Sequence, residues 1–133
     1  TGTNLSLVLE YMTNAIKKRC TAFLISDFIA LGNYKNALSI ANRKHDLVGI
    51  QIYDKRETEL PNVGLVKMYD AENGSEDWVD SSSKKVRDAY IRWWNERQNV
   101  MLDYMRKSRV DLASIATDED YVKALIGLFK RRS

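Results

Sequence analysis

A chain of 133 residues, 44% hydrophobic and 29% charged, has the size and balance of one globular domain with a real core. Its net charge is only +3, part of it in Lys130, Arg131 and Arg132 at one end, whereas a nucleic-acid binder shows a basic face. The single cysteine, Cys20, excludes an internal disulfide and fits a reducing compartment, and no apolar run approaches the roughly 20 residues of a membrane helix.

The chain opens on Thr1-Gly2-Thr3-Asn4, without initiator Met or secretory signal, and enters a helical pattern at once. This reads as a piece cut from a longer protein. Thr3 or Asn4 caps a first helix in which Leu5, Val8, Leu9, Met12 and Ile16 recur at helical spacing, with Lys17, Lys18 and Arg19 at its C-terminal end. Cys20 to Phe28 comes next, the stretch around which the rest is organised. Thr21, Phe23, Leu24 and Ile25 have the bulk of a strand buried on both faces, and Ser26-Asp27 falls where that strand runs into a loop. Ligands of open parallel sheets bind beyond the carboxyl ends of the strands, which places Asp27 for chemistry. A capping role fits the same position equally well.

Leu31-Gly32-Asn33 makes a loop, and Tyr34, Ala37, Leu38 and Ala41 form the apolar side of a second helix ending near His45. Leu47, Val48, Ile50 and Ile52 predict a second strand that again ends in an acid, Asp54, through a right-handed parallel crossover. Asp54 to Pro61 turns polar and suits a loop. Val63 to Tyr69 and Asp77 to Asp80 flank Asn73-Gly74 as a hairpin. The longest helix spans about Ser82 to Lys107, with Val86, Tyr90, Trp93, Trp94, Val100, Met101, Tyr104 and Met105 on one broad stripe. Val110 to Ile115 is the last strand. Thr117 to Asp120 starts a final helix whose expected buried face is Tyr121, Leu125, Leu128 and Phe129. Helix and strand alternate, so the class is α/β: three parallel strands plus an edge hairpin, flanked by helices.

Three acids fall at or near strand ends, Asp27, Asp54 and Asp70, with Glu57, Glu59 and Glu72 just beyond. Such oxygens suit a hard cation such as Mg²⁺, and they equally suit a solvated rim. Phosphate-cradling glycine loops are missing from the sequence. His45, the only histidine, sits at a helix end, where a cation on the helix dipole explains it. With one Cys and one His, zinc lacks ligands. Cys20 lies in an apolar strand, a poor setting for a reactive thiolate. Trp93 and Trp94 read as core more readily than as a base-stacking platform, with the alternative that one of them faces a partner chain. Arg97, if partly buried beside them, wants a carboxylate.

Several segments together resemble one family. They are Gly2-Thr3-Asn4-Leu5, Leu24 to Phe28, Arg43 to Val66, Tyr69 to Gly74, Arg87 with Tyr90, Thr117-Asp118 with Tyr121, and Phe129 with Arg131-Arg132. The family is the bacterial domain-of-unknown-function family 58, a relative of the von Willebrand factor A domains. Its most specific pattern here is Asp54-x-x-Glu57-x-x-Leu60-Pro61 followed by Asp70-x-Glu72-x-Gly74. The resemblance implies a Rossmann-like, doubly wound sheet, residues 1–133 being the C-terminal part of one such domain. It also implies a metal-ion-dependent adhesion site at the strand ends, in which Thr3 and Asp27 match two of the family relatives' ligands. The Asp-x-Ser-x-Ser strand of that site is absent from this sequence, so Mg²⁺ is expected in the intact protein and no cofactor in this fragment.

The resemblance further implies a non-catalytic adaptor that acts with a MoxR-type AAA+ ATPase or its client. It would be cytoplasmic, with any membrane association through other parts of the full protein. Asp54, Glu57 and Glu59 are the expected partner surface, and nucleic acid is not an expected partner. The competing reading is a Mg²⁺-dependent phosphoryl-transfer enzyme using Asp27, Asp54 and Glu57. If missing strands normally pair with Cys20–Ser26, the fragment has an open apolar edge and forms a homo-oligomer through it.

Overall fold

The computed structural model describes residues 5–29, 32–69 and 74–132. The chain runs α1 (Leu5–Ala15), β1 (Thr21–Ser26), α2 (Lys35–Lys44), β2 (Asp46–Tyr53), a 3-10 turn (Lys55–Glu57), β3 (Leu65–Tyr69), β4 (Glu76–Asp80), α3 (Lys84–Lys107), β5 (Asp111–Ala116) and α4 (Tyr121–Arg132). Strands β1, β2 and β5 form a parallel sheet in the order β1-β2-β5. The hairpin does not extend that sheet. β3 and β4 pair antiparallel with each other, from Leu65 opposite Asp80 to Tyr69 opposite Glu76, and the tip with Asn73 lies outside the described residues.

The central strand explains the sheet. Asp-Leu-Val-Gly-Ile-Gln-Ile-Tyr is nearly continuous apolar chain because neighbours cover both its faces. Leu47 joins Leu9, Leu38, Met101 and Met105 in the main core, beneath α1, α2 and α3. Val48 turns to the other face and packs with Ala113 and Leu128 under α4. Gly49 lets α3 settle on the sheet: a Cβ there would meet Leu112 Cδ1 at 3.0 Å and Met105 Cε at 3.4 Å.

Three expectations need correction. β1 is not buried on both faces: Leu24 is, but Phe23 and Ile25 stand 46% and 66% exposed. As the edge strand it lies beside, not beneath, α4. The apolar stripe of α3 is buried only at Met101 and Met105, while Trp93 and Val100 are exposed. A helix of 24 residues is about 36 Å long and outruns six-residue strands of about 20 Å, so its first turns overhang the sheet. On α4 only Leu128 is buried, and Tyr121 and Phe129 are exposed, because among the described residues no second helix packs beside α4 on that face.

His45 is also not a helix-end cation in solvent. It is fully buried; Nδ1 accepts the Cys20 N–H at 3.1 Å, so Nε2 carries the proton and donates to the Met12 carbonyl at 2.8 Å. One ring thereby ties the ends of α1 and α2 to the start of β1. Arg132 closes the opposite face, its guanidinium bridging Asp46 and Asp111 at the starts of β2 and β5.

Candidate functional site

The site is built where the parallel strands end. Asp27 comes directly after β1 in a turn made by its own side chains: Ser26 Oγ accepts the Phe28 N–H at 3.1 Å and Asp27 Oδ1 accepts the Ile29 N–H at 3.2 Å. Phe28 takes φ 59° there and drives its ring into the core. The Asp27 carboxylate itself stays exposed. Its carbonyl accepts Nε2 of Gln51 at 3.0 Å, and Gln51 is fully buried. Gln51 and Gln98 of α3 exchange reciprocal amide bonds at 2.7 and 2.9 Å, and Ser114 Oγ donates to Gln51 Oε1 at 2.7 Å. One buried amide thus fixes the ends of β1 and β5 and the middle of α3 around β2.

Asp54, at the end of β2, is held by the turn that begins there. It caps the 3-10 turn by accepting the Arg56 N–H at 2.9 Å, and the Arg56 guanidinium grips both carboxylate oxygens at 2.7 to 3.1 Å. That pairing holds the Asp54 carboxyl below its ordinary range. Glu57 anchors the loop to the overhanging helix through its main chain, its carbonyl accepting the Tyr90 hydroxyl at 2.6 Å. Burial first, and the Glu57 charge second, push the Tyr90 hydroxyl up. Glu59 lines a cleft of about 300 Å³ between this loop and α3, with Tyr53, Lys55, Thr58, Ile91, Trp94 and Asn95. Tyr53 and Trp94 form its aromatic wall, ring centroids 5.9 Å apart.

Glu59 thus lines the cleft and Glu57 reaches α3 through its main chain, whereas Asp54 is taken up by Arg56 and Asp27 belongs to a different turn. Thr3, Asp70 and Glu72 lie outside the described residues. Among the described residues no three His, Cys, Asp or Glu side chains are grouped to hold a metal ion, and Asp54 is already neutralised by Arg56. Asp27 alone of the two expected ligands is seen, as an exposed hard oxygen. Arg97 finds an aromatic partner where a carboxylate was expected, lying 5.8 Å from the centroid of Trp93.

Sequence reasoning overlooked Gln51, although it is the one strongly polar residue inside the apolar run from Leu47 to Ile52. It also missed the cleft, whose second wall comes from α3, distant in the chain. None of the helices, among the described residues, is long and apolar enough to cross a membrane.

Over residues 1–100 the chain matches the family described as "Protein of unknown function DUF58". It is 24% identical over 131 residues to "Uncharacterized protein MAV169" of Mycobacterium avium, covering 97% of this chain and 76% of that protein. It is 27% identical over 125 residues to "Uncharacterized protein Mb1516" of Mycobacterium bovis and to "Uncharacterized protein Rv1480" of Mycobacterium tuberculosis. Those alignments take in 92% of this chain and 38% of each relative, so the chain spans well under half the length of these two. No solved structure matches the chain significantly. The family match takes in α1 through the overhanging half of α3, including every turn of the site just described, and on that extent the chain belongs to the DUF58 family of proteins of unknown function.

Proposed function

We propose that this chain is the C-terminal part of a longer von Willebrand factor A-like domain that works as a non-catalytic adaptor in the cytoplasm. Its partner is a MoxR-type AAA+ ATPase or that enzyme's client. One observation carries the reading: the carboxyl edge of the sheet offers a cleft with an aromatic wall of Tyr53 and Trp94 and a polar rim that includes Glu59 and Lys55, its loop tied down by the Asp54–Arg56 and Tyr90–Glu57 contacts. Such a surface binds a polypeptide through an apolar anchor and polar rim contacts. The Cys20–His45 contact lies at the opposite, amino end of β1, and the ring nitrogens of His45 are occupied by main chain. That supports a binding role for the carboxyl edge over nucleophilic turnover.

On this reading Thr3 and Asp27 supply two oxygen ligands to a Mg²⁺ site completed by other residues of the intact protein, and a partner's carboxylate fills an open position. The test is binding of the full-length protein to the ATPase with and without chelator. Trp94→Ala and Glu59→Lys are expected to weaken binding by about tenfold or more, the loss of an aromatic anchor and of a rim charge. Asp27→Ala is expected to remove any dependence on Mg²⁺. Metal-dependent turnover of a phosphoester that disappears in Asp27→Ala would replace the adaptor by the phosphoryl-transfer reading.

A further inference from the structure

The hairpin of β3 and β4 stands apart from the parallel sheet and is fixed at its base. Ser81 is fully buried there; its hydroxyl accepts the Val63 N–H at 3.0 Å, and its own N–H donates to the Gly64 carbonyl at 2.8 Å. Arg87 of α3 donates to the Ser81 carbonyl at 2.7 Å, which braces the arm against the overhanging helix. Alternation along the ladder sorts the side chains into two faces. Val66, Met68 and Val79 share one face and are half-buried. Leu65, Lys67, Tyr69, Glu76, Trp78 and Asp80 share the other, where Leu65, Tyr69 and Trp78 are 69%, 59% and 67% exposed.

This apolar face is set in negative charge. The two strands hold Glu76, Asp77 and Asp80 against one base, Lys67, in a chain whose net charge is +3. Charge complementarity therefore disfavours an anionic partner, such as a nucleic acid or a phospholipid surface, and favours a cationic one. The hairpin already shows how a cation is held. The Lys67 ammonium lies 2.9 Å from Glu76 Oε2 and 5.9 Å from the centroid of the Trp78 ring. The ion pair is half-exposed and the ring contact is at the roughly 6 Å limit of a cation–π interaction, so this lysine is a weakly held occupant.

We propose that the outer face of the hairpin docks an extended, arginine-bearing segment of a partner protein, whose guanidinium displaces Lys67 from Trp78 and Glu76. Arginine suits the place better than the resident lysine. Its planar group stacks on an indole and also gives a carboxylate two parallel N–H bonds, which an ammonium cannot do. Tyr69 and Leu65 lie diagonal to Trp78 on the same face and offer apolar contact to the residues on either side of the arginine. Lys84 and Lys85 begin α3 just past Asp80, so the arginine belongs at the Glu76 end of the face and not at its base. None of these residues lines the cleft of Tyr53 and Trp94.

The test uses the full-length protein, a fluorescein-labelled peptide of alternating glycine and arginine, and a matching glycine–lysine peptide. Anisotropy at physiological salt is expected to show saturable binding of the arginine peptide, about tenfold tighter than the lysine one. Trp78→Ala and Glu76→Gln are each expected to weaken it about tenfold, while Lys67→Met, which removes the resident competitor, tightens it about threefold. Glu119→Gln, in the exposed turn before α4, is expected to leave it unchanged. No ATPase or metal enters the experiment, so its outcome is independent of the reading of the cleft. Absence of binding overturns the proposal. Equal binding of both peptides, or equal losses from Glu76→Gln and Glu119→Gln, reduces the effect to net charge and overturns it too. Self-association abolished by Trp78→Ala would assign the face to a second copy instead. Acrylamide quenching checks that the face is open in the whole protein. A quencher-accessible part of the fluorescence is expected to vanish in Trp78→Phe; if it persists undiminished, another part of the chain covers Trp78 and the proposal falls.

Discussion

Tyr34 carries a hydroxyl that the core does not use. The oxygen is buried and, among the described residues, has no hydrogen-bond partner, while the ring packs tilted on Phe28 at 6.4 Å and edge-on to Tyr104 at 5.0 Å. Burial, and then the neighbouring Tyr104, push this hydroxyl far above its ordinary range. Tyr34→Phe keeps both ring contacts and removes a desolvated polar atom. It is expected to leave urea stability unchanged or raise it by about 1 kcal/mol, whereas a loss of about 2 kcal/mol or more would show that the hydroxyl is satisfied. Asp54 behaves in the opposite way, because its carboxylate is used. Its folded pKa lies below the unfolded value of about 3.9, so the stability it lends is present above that value and lost as pH falls through the lower folded one. Asp54→Asn is accordingly expected to flatten the acid limb of a stability–pH profile below about pH 4 and leave its slope near neutrality unaltered.

At the scale of elements, Gln51 does what no apolar residue at that place could do. It joins β1, β5 and α3 through one buried amide, and its exchange with Gln98 is reciprocal. Gln51→Leu has nearly the right volume but strands the Gln98 amide and the Asp27 carbonyl, so a loss of about 2–3 kcal/mol is expected. Adding Gln98→Leu should recover part of it; a strictly additive double mutant would mean the two amides do not act as a pair. Much of the element pattern was legible beforehand, because period and strand-end punctuation are local. Leu47 to Ile52 announced a strand, Asp54 its end, and the stripe from Val86 the long helix. What could not be read is how many neighbours each element has. Cys20–Ser26 and Leu47–Ile52 look alike as runs, yet one is the edge and the other the centre, since hydrophobicity records what can be buried and not what covers it. The candidate site divides in the same way. Asp27 and Asp54 were visible as acids after strands, but Arg56 gripping Asp54 and Trp94 walling the cleft depend on loop closure and on the overhang of α3.

For the molecule as a whole, the decisive feature is that the two faces of the sheet are covered unequally. Among the described residues, three helices close one face over a continuous core, whereas α4 alone lies on the other. Its grip consists of Leu128, fully buried against Val48 and Ala113, and of Arg132 bridging Asp46 and Asp111. Elements with few buried apolar contacts open locally at lower free energy than the core. Native-state hydrogen exchange should therefore show the amides of α4 opening well before those of α2 and β2. Arg132→Ala removes the clamp but no core side chain, so it is expected to speed exchange across α4 by about tenfold while β2 keeps its protection. If β2 and α4 accelerate together, the sheet and its outer helix are one cooperative unit, and the single helix holds the domain shut more firmly than its contacts imply.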